Sequence, residues 1–148
     1  MAAAAQADGI SLTLVAGYQA ADTRQAAYQA RVQTYRDKRK SEETAARLAA
    51  SIQPAANATE HGTGYAADIP SADDPQQNTS FAETRAYEWL TAYAAEYGFI
   101  LRYPQDRQAA TGIVFEPWHW RYVGVENALA IRASGLSLEE FIALQRAD

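Results

Sequence analysis

Residues 118–123 constrain the fold more than any other stretch of this chain. They follow Pro117 and are mostly aromatic, which favours an extended strand that begins after the proline. Successive side chains of a strand point to opposite faces of the sheet. His119 and Arg121 therefore share one face, and Trp120 lies on the other, so one strand holds a histidine and a large aromatic side chain on opposite sides.

The other predicted elements mix helices and strands without a repeating order. Further strands are predicted at residues 11–16, 65–69, 99–103 and 113–115. Helices are predicted at residues 2–8, about 23–40, 42–52 and 80–97, and from residue 137 onward; capping boxes at 80–83 and 137–140 open the last two. The mixed order indicates an α+β fold, a single domain over residues 1–148 in which helices pack on a small, mainly antiparallel sheet.

The composition argues against several classes of protein. The chain has 148 residues, 48% of them hydrophobic and 21% charged, so it can bury a sizeable core and is not globally disordered. Its net charge of −5 argues against a nucleic-acid partner, which would need clustered lysine and arginine. The one dense basic run, residues 36–40, is interpreted as a solvated helix end. No apolar run approaches the length of a membrane span.

The first residues carry no recognisable export signal. Residues 1–8 lack the basic region and the longer apolar stretch of a signal peptide. Two interpretations stay open: a cytoplasmic protein, or a domain cut from a longer chain with a methionine added. The sequence indicates no oligomeric state.

The chain contains no cysteine and only two histidines, so any metal must be held by histidine and carboxylate. His61 lies seven residues before Asp68, and His119 lies three residues after Glu116. Two histidines and one carboxylate can hold Zn²⁺ with the fourth position left to water, as in catalytic zinc sites. A second carboxylate can then accept a proton from that water. We therefore expect a zinc site on the sheet face, with a bend at Pro117 that brings Glu116 into the same pocket.

Each of these features also has a purely structural explanation. A histidine beside tryptophans is commonly a packed, hydrogen-bonded residue, Glu116 could pair with Arg121, and the glycines that flank Thr63 could form only a turn. Taken singly, these explanations are the better ones. Taken together they are weaker, because both histidines and two carboxylates would then fall into the pattern by chance.

Two stretches of the chain carry a family resemblance. Residues 59–68 are Thr-Glu-His-Gly-Thr-Gly-Tyr-Ala-Ala-Asp, and residues 116–124 are Glu-Pro-Trp-His-Trp-Arg-Tyr-Val-Gly. This pair of stretches resembles the zinc D-alanyl-D-alanine carboxypeptidase family of VanY type. Residues 98–104, 111–112 and 17–18 are also similar to the family, so the resemblance extends over most of the chain, from about residue 9 to residue 144.

The resemblance implies roles for four side chains. His61, Asp68 and His119 would be the zinc ligands, and Glu116 would be the general base. It also implies that the protein removes the last D-residue from peptidoglycan stem peptides. Most members of the family act outside the cytoplasmic membrane, so the resemblance implies a place in the periplasm or at the cell surface.

The sequence departs from the family pattern where the end of the substrate would bind. The family typically has Gly-Tyr-Arg where this chain has Gly-Tyr-Gln at residues 17–19, and that arginine is expected to grip the terminal carboxylate. Gln19 can hydrogen-bond a carboxylate but supplies no charge, whereas Arg24 in the following helix can supply one. Thr59 keeps a hydroxyl where serine is common, and Gly62 replaces a glutamine. Gln19, Arg24 and Thr59 are the candidate substrate contacts.

The leading hypothesis is a zinc-dependent D-Ala-D-Ala carboxypeptidase that acts on peptidoglycan peptides. A close variant is an L,D-carboxypeptidase or a peptidoglycan endopeptidase, and Gln19 favours the endopeptidase because an internal bond offers no terminal carboxylate. A non-catalytic, zinc-containing wall-binding module is a further alternative, although Glu116 weighs against it because binding needs no general base. The last alternative is a structural domain without a metal.

Overall fold

The computed structural model describes residues 1–73 and 75–147. The sheet in this part of the chain is three-stranded and antiparallel, made of β1 (Ala66–Asp68), β2 (Phe99–Leu101) and β3 (His119–Tyr122) in the order β1-β3-β2. The aromatic strand predicted after Pro117 is therefore the central one. The predicted α+β class and the antiparallel sheet are confirmed.

Seven α-helices accompany the sheet in the part of the chain that the structure describes. They are α1 (Ala2–Ala7), α2 (Ala21–Asp37), α3 (Glu42–Ala50), α4 (Arg85–Tyr93), α5 (Gln108–Thr111), α6 (Val125–Ser134) and α7 (Leu138–Gln145). Three 3₁₀ turns lie at Glu60–Thr63, Thr79–Glu83 and Ala94–Tyr97. Within residues 1–73 and 75–147, none of these helices combines the length and the apolar character needed to cross a bilayer.

Two hydrophobic clusters lie on opposite faces of the sheet, because side chains alternate along each strand. On one face Trp120, only 2% exposed, packs with Phe81 and with residues of α1 and α4. On the other face Ile100 packs against α6. His119 precedes Trp120 in β3, so its imidazole points away from the tryptophan cluster.

Helices α2 and α3 form a separate pair beside the sheet. Val32 of α2 packs with Ala45 and Ala49 of α3. Ser41 caps α3: its hydroxyl accepts a hydrogen bond from the backbone N–H of Thr44. Side chains of α2 and the residues that follow α3 form one wall of the cleft described below.

The capping box predicted at residues 137–140 is present, and a glycine closes the 3₁₀ turn before β2. The Ser137 hydroxyl accepts the N–H of Glu140, and the Glu140 carboxylate accepts the N–H of Ser137, which completes the capping box of α7. Gly98 ends the turn Ala94–Tyr97 with φ of +84°. A Cβ at this position would lie 2.6 Å from the Tyr122 ring, so only glycine fits here.

The strand predicted at residues 11–16 does not form as a regular strand. In the described part of the chain this segment makes two isolated bridges, Leu12 with Ser71 and Ala16 with Asp68. It runs along the outer edge of β1, where Leu14 is 65% exposed. An edge segment whose apolar side chains stay in solvent gains too little packing to extend its ladder.

The helix predicted at residues 80–97 begins later than its pattern indicates. Asn78 caps the 3₁₀ turn Thr79–Glu83 by accepting the N–H of Ser80, and Thr84 caps α4 by accepting the N–H of Tyr87. Thr84 has an extended backbone, with φ −97° and ψ 152°. Caps at Asn78 and Thr84 therefore take the place of the predicted capping box and divide the segment.

The C-terminal half contains three further differences from the predictions. Residues 113–115 form no strand in the described structure, and the N–H of Val114 donates instead to the carbonyl of Ser51. Helix α6 was not predicted: it follows Gly124, which has φ of +82°, and no side-chain cap marks its start among the described residues. Helix α5 is a single turn within residues 105–112, for which no helix was predicted.

Candidate metal centre

The register of the sheet brings Asp68 and His119 together. The two residues are direct partners across β1 and β3. Their side chains meet on one face, with Asp68 Oδ1 3.0 Å from His119 Nδ1. Both side chains are buried, so this polar contact lies inside the protein.

The 3₁₀ turn Glu60–Thr63 delivers His61 to the same place. The Thr59 hydroxyl caps the turn by accepting the N–H of His61 at 3.3 Å, and Gly64 ends it. His61 Nδ1 lies 2.7 Å from the carbonyl oxygen of Gly17, which can only accept, so Nδ1 carries the proton. The Nε2 lone pair is thereby left to face Asp68 Oδ1, 3.5 Å away.

These three side chains meet the requirements of a small metal site. One donor atom from each of His61, Asp68 and His119 can be chosen so that all lie within 4.8 Å of one another. Two donors bound tetrahedrally at about 2.1 Å from one ion lie ~3.4 Å apart, and Asp68 Oδ1 is 3.0 and 3.5 Å from the two imidazole nitrogens.

The hydrogen-bonding pattern of Asp68 is also the one expected of a side chain that binds a cation directly. Its Oδ2 accepts a hydrogen bond from Gln77 Nε2 at 2.6 Å, which fixes the orientation of the carboxylate. Its Oδ1 is buried and has no donor in hydrogen-bonding geometry among the described residues. A buried carboxylate oxygen is costly without a partner, and a metal ion at this point would supply one.

The electrostatic surroundings of His119 favour a positive charge. Burial disfavours the charged imidazole, but interactions with Asp68 and Glu60 outweigh burial and raise the pKa of His119 to about 9. Burial would likewise raise the pKa of Asp68, yet the two histidines lower it to about 2. The same negative surroundings that favour a proton on His119 favour a divalent cation between these groups.

A turn at Pro117 brings Glu116 to the same pocket, as predicted. The N–H of His119 donates to the carbonyl of Glu116 at 3.1 Å, which closes a four-residue turn with Pro117 at its second position. Glu116 Oε2 then lies 3.7 Å from His119 Nδ1. Burial raises the pKa of Glu116 to about 7, an effect that the Asp68 charge reinforces and the cations of His119 and Arg24 oppose.

These residues line a cleft of about 250 Å³ that also contains Arg24, Arg31, Tyr103, Trp118 and Gln77. A larger groove of about 620 Å³ lies between β3, α6 and α7, but among the residues described it contains none of the four predicted catalytic and metal-site side chains. The candidate metal site therefore lies in the smaller, more polar cleft.

The structure brings two of the predicted substrate contacts together. Arg24 Nη1 donates to Gln19 Oε1 at 3.0 Å. Arg24 is 9% exposed, and its Nε has no hydrogen-bond partner within residues 1–73 and 75–147. Burial lowers the pKa of Arg24, whereas the charges of Asp68 and Glu116 raise it. Thr59 also lines the cleft, although its hydroxyl already accepts a bond within the turn that holds His61.

Four residues around the site were not identified as functional from the sequence. They are Glu60, Gln77, Arg102 and Tyr103. Glu60 Oε2 lies 3.6 Å from His119 Nε2, and the Tyr103 ring lies 4.8 Å from the His119 ring. The position of Glu60 next to His61 was an available signal. Gln77 had none, because it lies in a segment whose composition indicates only a surface loop.

Comparison with known proteins places the chain in a family. The family model described as VanY, D-alanyl-D-alanine carboxypeptidase, matches residues 1–125. The D-alanyl-D-alanine carboxypeptidase of Enterococcus faecalis is 35% identical over 139 residues, which cover 94% of this chain and 50% of that protein. This chain thus spans about half the length of that relative.

Two solved structures have the same fold. VanYB in complex with D-alanine-D-alanine is 33% identical, with a TM-score of 0.85 over 96% of this chain and 76% of that one. A variant of the vancomycin-resistance D,D-pentapeptidase VanY in complex with Zn(II) is 33% identical, with a TM-score of 0.83 over 95% of this chain and 76% of that one. With its first 125 residues matched by the family model and its fold shared with these structures, the chain belongs to the VanY family of D-alanyl-D-alanine carboxypeptidases.

Proposed function

We propose that this chain is a zinc-dependent carboxypeptidase that removes the C-terminal D-alanine from peptidoglycan stem peptides ending in D-Ala-D-Ala. The observation that carries the proposal is the convergence of His61, Asp68 and His119 on one point, with Glu116 beside them in the same cleft. Family membership and the Zn(II) and D-alanine-D-alanine bound by its structural relatives support it.

His61, Asp68 and His119 would hold the zinc ion through Nε2, Oδ1 and Nδ1. When bound, the ion supplies a water of lowered pKa and an electrophilic contact for the scissile carbonyl. Glu116 accepts a proton at its carboxylate and then donates it to the amine of the departing D-alanine. The burial of Glu116 excludes bulk water from this transfer.

The end of the substrate would bind to Arg24. Its guanidinium lines the cleft, carries a buried Nε–H without a partner in the described structure, and interacts electrostatically with the two carboxylates of the site. Gln19 accepts a hydrogen bond from Nη1 and so orients the guanidinium, while Thr59 contributes a hydroxyl to the wall of the cleft. In this arrangement Arg24 supplies the charge that Gln19 lacks.

The peptidoglycan substrate implies a working place outside the cytoplasmic membrane, in the periplasm or at the cell surface. Residues 1–148 would act there as one catalytic domain. The substrate would be a peptide of the wall and not a nucleic acid, in keeping with the net charge of −5.

The proposal is tested by metal and product analysis of the purified chain. We expect roughly one tightly bound zinc ion per chain after reconstitution. We also expect release of D-alanine from a free pentapeptide that ends in D-Ala-D-Ala. Tetrapeptides and cross-linked peptides serve as parallel substrates, and Glu116→Gln serves as the inactive control.

Three results would overturn this assignment. A protein that takes up no zinc on reconstitution is neither the enzyme nor a zinc-containing wall-binding module. Release of D-alanine only from tetrapeptides would make it an L,D-carboxypeptidase. Cleavage only within cross-linked peptides would make it an endopeptidase.

A further inference from the structure

A chain of charged side chains connects the C-terminal helix α7 to the candidate ligand His119. We propose that Glu139 of α7 positions His119 for metal binding, acting through Arg102 and Glu60. This inference rests on the proposed zinc site. Helix α7 lies beyond residue 125, where the match to the family model ends.

The first link joins His119 to Glu60. With Nδ1 directed at Asp68, the other nitrogen of His119, Nε2, faces Glu60 Oε2 at 3.6 Å. Both atoms are buried, and neither has a hydrogen-bond partner elsewhere in residues 1–73 and 75–147. An Nε2–H directed at a carboxylate leaves the Nδ1 lone pair for the metal and makes it a better donor.

The second link joins Glu60 to Arg102, next to β2. Arg102 is 8% exposed, and its Nε donates to Glu60 Oε1 at 2.7 Å. Arg102 thus uses one oxygen of Glu60 and leaves the other to His119.

The third link explains why Arg102 takes only one oxygen of Glu60. Its two terminal nitrogens, Nη1 and Nη2, donate to Glu139 Oε2 at 3.0 Å and Oε1 at 2.5 Å, a bidentate pair. Its guanidinium also lies 4.8 Å from the centre of the Tyr103 ring. Because Nη1 and Nη2 both donate to Glu139, only the Nε–H of Arg102 reaches Glu60.

Loss of the Glu139 charge would weaken the pairing that holds Nη1 and Nη2 of Arg102. Arg102 would then have Glu60 as its one remaining carboxylate among the described contacts, and a guanidinium pairs best with both oxygens of a carboxylate. Pairing of that kind would draw Oε2 away from His119 Nε2. Glu139 therefore acts on the metal site at a distance, by competing for Arg102.

The test compares Glu139→Gln with the matched variant Glu140→Gln. Both changes remove one charge from α7, and glutamine at position 140 still completes a capping box. Glu140 pairs with Arg107 and lies outside the chain of contacts to His119. Zinc affinity is measured by competition with a chelator, and the visible spectrum of the Co²⁺-loaded protein reports the ligand geometry.

We expect Glu60→Gln to weaken zinc affinity by ~10–100-fold, as for other residues behind a metal ligand. Glu139→Gln should weaken it by a smaller factor of ~3–10, because a charge-assisted hydrogen bond is only partly lost. Both should alter the Co²⁺ spectrum. The Glu140→Gln protein should keep the affinity and spectrum of the parent.

The double variant Glu60→Gln/Glu139→Gln decides whether Glu139 acts through Glu60. If it does, the double variant binds zinc no more weakly than Glu60→Gln alone. Additive losses, equal losses in Glu139→Gln and Glu140→Gln, or parental affinity and spectrum in Glu139→Gln would each overturn the inference. Should Glu139→Gln fail to fold, Glu139→Asp takes its place in the same cycle. A parent protein that binds no zinc would instead reject the proposed function.

Discussion

The proposed metal side and the proposed recognition side of the cleft are built in different ways. The register of two strands fixes Asp68 and His119, and a capped turn fixes His61, so backbone hydrogen bonds set all three positions. The recognition side depends on Arg24, in a helix beside the sheet, and on Gln19, in an irregular segment. The candidate metal ligands thus lie where a backbone shift would break hydrogen bonds of the sheet or the turn. The candidate recognition residues lie outside the sheet, where a different side chain disturbs fewer backbone hydrogen bonds.

The two sides also differ in how their side chains are supported. Each candidate ligand has a second contact behind it: Gly17 for His61, Gln77 for Asp68 and Glu60 for His119. Arg24 donates to the carboxamide of Gln19, and its Nε has no hydrogen-bond partner in the part of the chain that the structure describes. Each candidate ligand is thus oriented by a contact behind it, whereas Arg24 keeps its Nε–H for a ligand.

Removal of a ligand is expected to have the largest effect. His61→Ala, Asp68→Ala and His119→Ala each delete an inner contact to zinc, so affinity should fall beyond the ~10–100-fold that residues behind a ligand produce. Activity should be lost with the metal. Equilibrium dialysis against zinc measures the affinity, and Arg31→Ala, which alters the same cleft away from the ligands, is the control. Full affinity in any one variant would exclude that residue from the ligand set.

The next largest effect is expected from Glu116→Gln. Glutamine has nearly the same shape but cannot accept a proton, so kcat should fall by ~10²–10⁴. The zinc content and the unfolding temperature should stay at parental values, since Glu116 is not one of the three ligands. Steady-state kinetics and elemental analysis of one preparation check both statements. Near-normal turnover would mean that another group is the base.

The metal side was largely predictable from the sequence, because its chemistry is local. His61 and Asp68 lie in one short stretch and Glu116 and His119 in another, and the bend at Pro117 was predicted from the need to bring Glu116 and His119 to one pocket. Strand alternation correctly placed His119 opposite Trp120.

The supporting contacts were not predictable, because they join distant parts of the chain. Arg102 meets a carboxylate 42 residues before it and another 37 residues after it, and no local pattern marks either. The strand predicted at 11–16 does not form for a similar reason. Alternation of polar and apolar residues shows that a segment can be extended, but its burial by neighbouring elements depends on the rest of the fold. Helix α6 was missed since it follows Gly124 without a capping side chain in the described structure.

On the recognition side, Arg24→Ala should raise KM for peptides with a free C-terminal carboxylate. Loss of a charge-assisted hydrogen bond worth ~1.5–3 kcal/mol corresponds to ~10–150-fold in kcat/KM. Amidated peptides should be affected much less, so the ratio of the two rates is the measurement. Arg31→Ala is the matched control, because this exposed arginine of α2 lines the same cleft. An unchanged ratio in Arg24→Ala would favour the endopeptidase.

The smallest effect, and the sharpest comparison of the two sides, is expected from Gln19→Arg. If the cleft simply lacked the arginine that the family resemblance implies at this position, the substitution would improve binding of free-acid peptides. The structure predicts the opposite, because Gln19 Oε1 accepts a hydrogen bond from Arg24, and a second guanidinium there would replace an acceptor with a like charge. We expect a loss of ~2–10-fold in kcat/KM for free-acid peptides, the cost of one modest hydrogen bond. The double variant Gln19→Arg/Arg24→Gln restores one cation and one carboxamide with their places exchanged, and it should regain part of that loss. A gain in kcat/KM for free-acid peptides in the single variant would show that Arg24 does not hold the carboxylate. Zinc affinity should stay at the parental value in both proteins, because the metal side is fixed by backbone hydrogen bonds of the sheet and the turn.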